Sequence, residues 1–423
     1  MSKPKSKELD LYIYFPHQQP MLLLKKLTCD AELVCETILE KHEKGKESSV
    51  EKIKIDRFKL RDIEQVMRNH GWEMGAKAQA LWFSGKAYQL PERAKNASED
   101  DSMIDKVLSN AVEADFVDWD WLLSFTIVRE KLDHLLMTKE TLISKNIYDP
   151  NMLEYYYIHD ISHNIYSSRT KDSLINNFKS DKDKDQHRFG YCFGQEILQT
   201  HKNGKYIFSK EIENIYFYHR YWQFQYIRVG DGVSEKPWSE DDIEDWFAAF
   251  GSFTLNVAPY EIEIIEIEKG VYQVNILKVA IYARDSFDFN GNQYLGFWNK
   301  KGICLPIKES FSQAMYLLGN TSLDKIEKIA KTDIYEINTE VDYAIDTNII
   351  TTPLLKNGDN VNKDLYFPVN NSDYRRWREN SKNKDPNGIG FGRDMILFSK
   401  IKIQDIEGLS IIVRIEDERN IKK

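Results

Sequence analysis

Long apolar runs are missing from this sequence. No window approaches the roughly 18 apolar residues that a helix needs to cross a bilayer. The polar residues 1–7 and the short apolar run 21–24 do not form the core of a signal peptide. We therefore expect a protein that is made in the cytosol, without a classical export signal and without a transmembrane segment.

Cysteine and excess positive charge are also scarce. The four cysteines are scattered without CxxC spacing, which predicts reduced thiols that serve mostly in packing. The formal net charge is -9 at pH 7, which disfavours nonspecific binding to nucleic acid because such binding needs a concentrated positive surface. We expect no nucleic-acid partner, and the sequence identifies no cofactor.

What is present is typical of a folded globular protein. Hydrophobic residues make up 42% and charged residues 30% of the 423 residues. Aromatic residues reach 13%, with 23 tyrosines, whose rings pack while their hydroxyls stay hydrated. This composition suits sheet faces, clefts and interfaces.

The first half of the chain has a mainly helical pattern. Residues 11–15 (LYIYF) predict a short strand that ends at Pro16. Apolar residues at helical spacing predict further elements, at residues 60–69, 74–84, 121–135 and 152–165.

After the polar run at residues 180–186 (SDKDKDQ), the spacing of the apolar residues changes from a helical pattern to an alternating one. We take this run as a boundary between a helical region, 1–179, and a β-rich domain, 187–423. Apolar and polar residues alternate at 261–268 and 271–282, which predicts strands with one solvent-exposed face. The remaining signals are a hairpin at Asn290-Gly291, strands 394–406 and 409–415 joined near Gly408, and inserted helices after Ser239 and Thr321.

These patterns predict an α+β fold. Its N-terminal half is mainly helical, and its C-terminal half is a largely antiparallel, β-rich region with inserted helices.

One motif suggests a metal site. In the segment HDISH, His159 and His163 are four residues apart, so on a helix they share a face and reach one metal ion. Asp160 stands where a zinc hydrolase has its general-base glutamate, and an HD-type phosphohydrolase with His134 is a second interpretation. His187 is a candidate third ligand, but a polar helix surface explains the motif equally simply.

Two carboxylates lie near the Asn-Gly signal. Asp285 and Asp288, in the corner formed by residues 285–291, form an acid/base pair or bind metal if the strand breaks at Ser286. In a regular strand they point to opposite faces. A structural corner, with Asp and Asn bonded to nearby backbone, is the alternative.

The most basic stretch of the chain follows in residues 370–394. Asn371 to Asp373 supply candidate N-caps for a short helix that carries Arg375, Arg376 and Arg378. The glycine-rich loop, residues 387–392, then leads through Arg393 and Asp394 into a strand. Because a strand and not a helix follows, no helix dipole supports phosphate binding there. The stretch binds an anionic ligand or partner, or it balances the acidic surface.

Several segments resemble an uncharacterised bacterial family, domain-of-unknown-function family six-four-zero-two. They are GWEMGAKAQALWFSGKAY (71–88), YWQFQYIRVG (221–230), IYARDSFDFNGNQYLGFWN (281–299), VNNSDYRRWREN (369–380) and GRDMILFSKI (392–401). Genes of such proteins commonly lie near type VI secretion components. The resemblance therefore implies an effector or an associated protein that is delivered into neighbouring cells, and it brings no catalytic residues.

The leading hypothesis is a type VI secretion-associated antibacterial effector of undetermined chemistry, for example a hydrolase acting on an envelope or phosphate-bearing substrate. Its candidate partners are a secretion-apparatus component and a cognate immunity protein. The alternatives are a non-enzymatic adaptor, cargo or neutralising protein, and a metal-dependent hydrolase that uses HDISH. The candidate catalytic residues are Asp285, Asp288, Arg376 and Arg393, and the candidate binding residues are Asp373, Arg375 and Asp394.

Overall fold

The computed structural model describes four N-terminal strands and most of the chain from residue 59 to residue 415. The described ranges are 11–13, 22–29, 35–41, 49–55, 59–91, 107–138, 162–179, 194–231, 235, 237, 242–291, 294–304, 354–355, 365–385 and 387–415. The predicted boundary at 180–186 and the helix after Thr321 lie outside these ranges and stay predictions.

The fold is mixed α+β, as the sequence predicted, with helices mostly in the N-terminal half and sheet in the C-terminal half. The helices whose bounds lie within the described residues are α1 Asp62–Asn69, α2 Glu73–Ser84, α3 Trp119–Leu122, α4 Thr126–Leu136, α5 Ser168–Lys179, α6 Gly194–Thr200, α7 Ile215–Trp222, α8 Asp245–Phe250 and α9 Asn371–Lys384. None of the helices in the described ranges is long and apolar enough to cross a membrane.

The strands within the described ranges form three sheets. They are β1 Leu11–Ile13, β2 Leu22–Cys29, β3 Cys35–Lys41, β4 Ser49–Ile55, β5 Val112–Glu113, β6 Gly204–Ile207, β7 Gln225–Val229, β8 Phe253–Glu268, β9 Val271–Phe287, β10 Tyr294–Asn299, β11 Gly302–Cys304, β12 Leu354–Leu355, β13 Leu365–Asn370, β14 Met395–Phe398 and β15 Lys402–Arg414. Two sheets have four strands, in the orders β1-β2-β3-β4 and β11-β10-β13-β12. The third has seven strands, in the order β5-β14-β9-β8-β6, with β15 also paired to β9 and β7 to β8.

The chain divides into two compact units. Unit one comprises residues 1–89, 237–249 and 288–394; unit two comprises residues 90–236, 250–287 and 395–423. The two small sheets belong to unit one, and the seven-stranded sheet belongs to unit two. Each unit therefore depends on contacts between segments that are far apart in sequence.

The seven-stranded sheet of unit two is built on the long β8–β9 hairpin. Both strands contain the alternating segments that the sequence predicted, and they pair antiparallel from Thr254↔Arg284 to Glu268↔Val271. Side chains on one face are buried, among them Val257, Ile264 and Val274 at 0% exposure. Alternation creates one apolar face because successive side chains of a strand point to opposite sides.

Two turn predictions in this half are wrong. The residues around Gly408 form an irregularity inside the single strand β15, which pairs with β9 on both sides of it, so they do not join two strands. Asn290-Gly291 does not close a hairpin either, because β9 and β10 lie in different sheets. The end of β9 already pairs with β8 on one edge and with β14 on the other, so no edge is left for β10.

The helical predictions are confirmed for α1 and α2, but the predicted helix at 121–135 is two helices, α3 and α4. The predicted strand at 11–15 corresponds to β1, Leu11–Ile13, and the structure also has β2, β3 and β4 between residues 22 and 55, where the sequence predicted no strand. Residues 162–165, predicted as the end of a helix, form turns. The side chain of Asn164 explains this, since its amide donates to the carbonyls of His134 and Met137 and its oxygen accepts from Tyr166 N–H.

In unit one, α2 begins against α8. The carboxylate of Asp245 accepts hydrogen bonds from the N–H groups of Met74 and Gly75, all at 3.0 Å. An anionic group at this position satisfies N–H groups that have no partner within the helix. A Cβ atom on Gly75 would lie 2.9 Å from that of Ala248, so the close approach of the two helices requires glycine.

Ile264 and Ile265 provide a matched test of the sheet. Ile264 is 0% exposed and Ile265 is 38% exposed. We expect Ile264→Ala to lower the free energy of unfolding by about 2–5 kcal/mol, because it leaves a cavity in the core. Ile265→Ala should change it by about 0.5 kcal/mol or less. Urea unfolding of both variants checks the assignment, and equal losses would contradict the register of β8.

Candidate functional site

The corner predicted to be functional is bound to the first turns of α9. The ring of Phe289 stacks on that of Tyr374, with centroids 3.5 Å apart and planes at 4°. Arg375 Nη1 donates to the carbonyl of Phe289 at 2.6 Å and also to the carbonyl of Gly291. Asn371 Nδ2 donates to the carbonyl of Asn290 at 2.9 Å. Residues 288–291 and the basic helix, distant in sequence, therefore meet in unit one.

An aromatic cluster lies behind this contact. Trp82 meets Phe289 and Tyr374 edge-on, with centroids 5.2 and 5.1 Å apart. Phe83 meets Trp377 edge-on at 4.9 Å. All five side chains are at most 7% exposed. Edge-to-face pairs add stability beyond burial alone, so α2, the corner and α9 form one packed element.

A buried ion pair extends this element to the end of the glycine-rich loop. Arg378 Nη2 bonds to Asp394 Oδ1, with side chains 2% and 0% exposed. The same oxygen accepts from Trp82 Nε1 at 3.0 Å, and the Arg378 guanidinium lies 5.5 Å from the Trp82 ring centroid. A buried carboxylate requires such partners because water cannot solvate it. Asp394, a predicted binding residue, thus links α2 to α9.

The other predicted residues also have places in the fold. Asp288 Oδ1 accepts from Asn290 N–H at 3.0 Å, which is a local turn. Asp373 is 0% exposed, and Arg376 Nη1 lies 4.0 Å from its Oδ1. Arg393 pairs with Tyr88 in a β-bridge. Asp285 lies in unit two, on β9 opposite Leu397. The catalytic roles of these residues stay predictions.

The glycine-rich loop is held by an internal carboxylate. Asp385 accepts hydrogen bonds from the N–H groups of Asn387, Ile389 and Gly390, at 2.8–3.1 Å. These backbone donors, the one to Asn387 first, lower the pKa of Asp385. The N–H of Gly388 donates to the Asp385 carbonyl, and that of Phe391 donates to Ser381 Oγ.

The loop is therefore already occupied as an anion site, by a carboxylate of its own chain. Its remaining N–H groups, those of Gly392, Arg393 and Asp394, donate to backbone carbonyls of residues 82–88. Two large apolar side chains nevertheless project from it: Ile389 is 44% exposed and Phe391 is 49% exposed. A loop whose N–H groups are all bonded thus presents two apolar side chains.

The metal interpretation gains no support from the part of the chain that the structure describes, where no group of three or more His, Cys, Asp or Glu could hold an ion. His163 lies in a turn, and its Nδ1 is 2.9 Å from the carbonyl oxygen of Tyr226. His159 and His187 lie outside the described residues. The helical geometry proposed for the two histidines does not hold at His163.

A group that sequence reasoning missed lies in unit two. His219 on α7 has Nδ1 3.1 Å from the Tyr282 hydroxyl on β9, and its ring meets that of Phe398 with centroids 5.9 Å apart. Burial and the nearby positive charge of Arg284 lower the pKa of His219, while burial raises the pKa of Tyr282. The period of β9 places Tyr282 and Arg284 on one face, but no sequence signal brings α7 to them.

The fold and these contacts define a two-unit α+β protein whose predicted site residues in unit one are bonded into the structure. The model of the family of unknown function DUF6402 matches residues 58–409, and the chain belongs to that family. The resemblance found in the sequence is thereby confirmed. No curated protein and no solved structure matches the chain.

The buried ion pair can be tested against a surface pair on the same helix. Asp394→Ala leaves Arg378 buried without its carboxylate, and we expect unfolding to become easier by about 3–5 kcal/mol. Glu379→Ala removes only the exposed pair with Lys382 and should cost about 0.5 kcal/mol or less. Denaturant unfolding followed by tryptophan fluorescence distinguishes them. Similar losses in the two variants would show that the pair does not stabilise unit one.

The loop should depend on pH through Asp385. Because its folded pKa is depressed, its stabilisation is complete above the unfolded value of about 3.9 and is lost as the pH falls through the lower folded value. We expect the amides of Ile389 and Gly390 to lose protection from hydrogen exchange in that window. Asp385→Ala should remove the protection at neutral pH, because it removes the acceptor, whereas Glu379→Ala should keep it; protection that persists in Asp385→Ala would refute this role.

Proposed function

We propose that this protein is a type VI secretion-associated protein that acts by binding another protein, as an adaptor, a cargo or a neutralising partner. The secretion context comes from the family resemblance. The observation that supports binding is the exposure of Ile389 and Phe391 on a loop whose backbone N–H groups are all hydrogen-bonded.

Rigid presentation favours recognition. A loop that is already ordered loses little conformational entropy when it binds. An aromatic and an aliphatic side chain at its tip are suitable anchors for a pocket on a partner. The internal bonds of Asp385 and Ser381 hold the two side chains in place before any partner arrives.

The charge around the loop indicates the partner's chemistry. Lys86 is exposed and lies next to the loop through the β-bridge Lys86↔Phe391. Lys382 and Lys384 lie just before the loop in sequence; Lys384 is exposed and Lys382 is half-buried. Asp385 directs its carboxylate into the loop and Glu379 pairs with Lys382, so Lys86 and Lys384 are the cations that make the rim basic. We therefore expect a partner with an apolar pocket and an acidic border, since complementary charge speeds association and excludes wrong partners.

An exposed isoleucine elsewhere gives a matched control for the binding test. Ile389 is 44% exposed and Ile412, on β15, is 43% exposed. We expect Ile389→Ser and Phe391→Ala each to weaken co-purification with the product of a neighbouring gene, by about tenfold or more in Kd. Ile412→Ser should bind like the unmodified protein. Loss of binding in Ile412→Ser alone, or in none of the three, would refute the loop as the interface.

An antibacterial effector is the second proposal, and the observation that favours it is the perturbed histidine of unit two. A neutral imidazole beside a tyrosine and an arginine is a common feature of catalytic sites.

Production in the cytosol and in the periplasm of a susceptible bacterium tests toxicity. If the protein is folded and abundant but harmless in both compartments, the effector proposal is wrong. Asp285→Ala and Asp288→Ala variants that stay fully toxic would remove the corner as its site.

A further inference from the structure

One face of the seven-stranded sheet carries a group of basic side chains. The register pairs Arg228 with Thr254 and Thr254 with Arg284, so these three residues lie side by side on β7, β8 and β9. Residues directly opposite each other in an antiparallel sheet point to the same face. Tyr282, two residues before Arg284 on β9, points to that face as well.

His219 completes the group from the helix above. Its ring contacts Tyr282, and it also contacts Phe398, the residue that pairs with Arg284 on the other edge of β9. The imidazole is thus held against both neighbours of the Arg284 side chain. Tyr282 and Phe398 are at most 1% exposed and form a rigid floor.

The three basic side chains are only partly buried. His219 and Arg284 are half-buried, and the side chain of Arg228 is 59% exposed. Arg228 Nη1 bonds to the exposed carboxylate of Asp231 at 3.1 Å, a contact that is easily exchanged in water. Asp285 belongs to the opposite face of β9 because it is adjacent to Arg284.

We propose that His219, Arg284 and Arg228 form a binding site for a phosphate-type oxyanion. A guanidinium group matches the geometry of phosphate oxygens with parallel N–H donors, and an imidazole N–H adds a further donor. The buried aromatic floor lowers the local dielectric and strengthens these bonds. The site is independent of the loop at residues 387–392; it shares His219 with the effector proposal but does not require it, because phosphate binding is measured without toxicity.

Binding of an oxyanion can be followed through the protonation state of His219. Burial and Arg284 lower the pKa of His219, so its ring is neutral at pH 7. Among the described residues, the hydroxyl of Tyr282, whose pKa is raised, also contacts the ring, and the neighbouring Tyr218 on α7 donates its hydroxyl to the carbonyl of Pro259. A bound oxyanion would favour the charged ring and raise the pKa of His219.

The test is an NMR titration of the full chain with inorganic phosphate, compared with chloride at equal ionic strength. The signal of His219 is identified by its loss in His219→Gln. We expect a saturable shift with phosphate and a rise of about one pH unit in the pKa of His219. Equal responses to phosphate and chloride in the unmodified protein would overturn the proposal, and this comparison needs no variant.

Two variants locate the site. Arg284→Gln should weaken phosphate binding by about tenfold or more, since a charge-assisted bond is lost. Arg220→Gln is the matched control, because Arg220 follows His219 on α7 but its Nε donates to the Tyr221 hydroxyl, and it should leave binding unchanged. If Arg284→Gln does not fold, Arg284→Lys keeps the charge and removes the paired donors. Unchanged affinity in a folded Arg284 variant would also overturn the proposal.

Discussion

The buried carboxylate of Asp394 is the interaction on which unit one depends. It joins Trp82 of α2 and Arg378 of α9 to the strand-like segment after the glycine-rich loop. A charge without water needs every one of these partners, and the loss of one leaves the other uncompensated. The aromatic cluster of Trp82, Phe289 and Tyr374 packs around the same point. The helices α2 and α9, residues 288–291 and the end of the loop therefore share one buried set of contacts.

That constraint explains what the basic segment does. Glycine-rich loops near arginines are often sites for phosphate, but here Asp385 accepts the N–H groups that a ligand would need. Arg375 bonds to backbone carbonyls of the corner, and Arg378 bonds to Asp394. The polar groups thus maintain the shape of the loop. What the loop offers to solvent is apolar, and this favours recognition of a protein over chemistry on a phosphate.

Unit two has a different arrangement of polar groups. Its sheet is antiparallel except for the parallel pair β5–β14, and its titratable group, His219, lies on α7 against Tyr282 and Phe398 of that sheet. Burial and the charge of Arg284 lower the pKa of His219. An oxyanion bound there would accept hydrogen bonds from the Arg284 guanidinium and from a ring N–H of His219, and it would favour the charged ring. The two units therefore offer two separate surfaces, one apolar with a basic rim and one polar, each held by a rigid scaffold.

Sequence periodicity alone determined the α+β class, the long strands β8 and β9, and helices α1 and α2, because each of these follows from local alternation or helical spacing. Residue types, not periodicity, singled out the corner at 285–291 and the segment at 370–394 as candidate site residues. Prediction from local sequence failed at Asn290-Gly291, where turn chemistry predicted a hairpin but both edges of β9 were already paired. Only the tertiary structure decided which strands are neighbours, that Asp394 is buried with Arg378, and that α7 brings His219 to Tyr282. These contacts join residues far apart in the chain, and no local pattern encodes the partner of a buried charge.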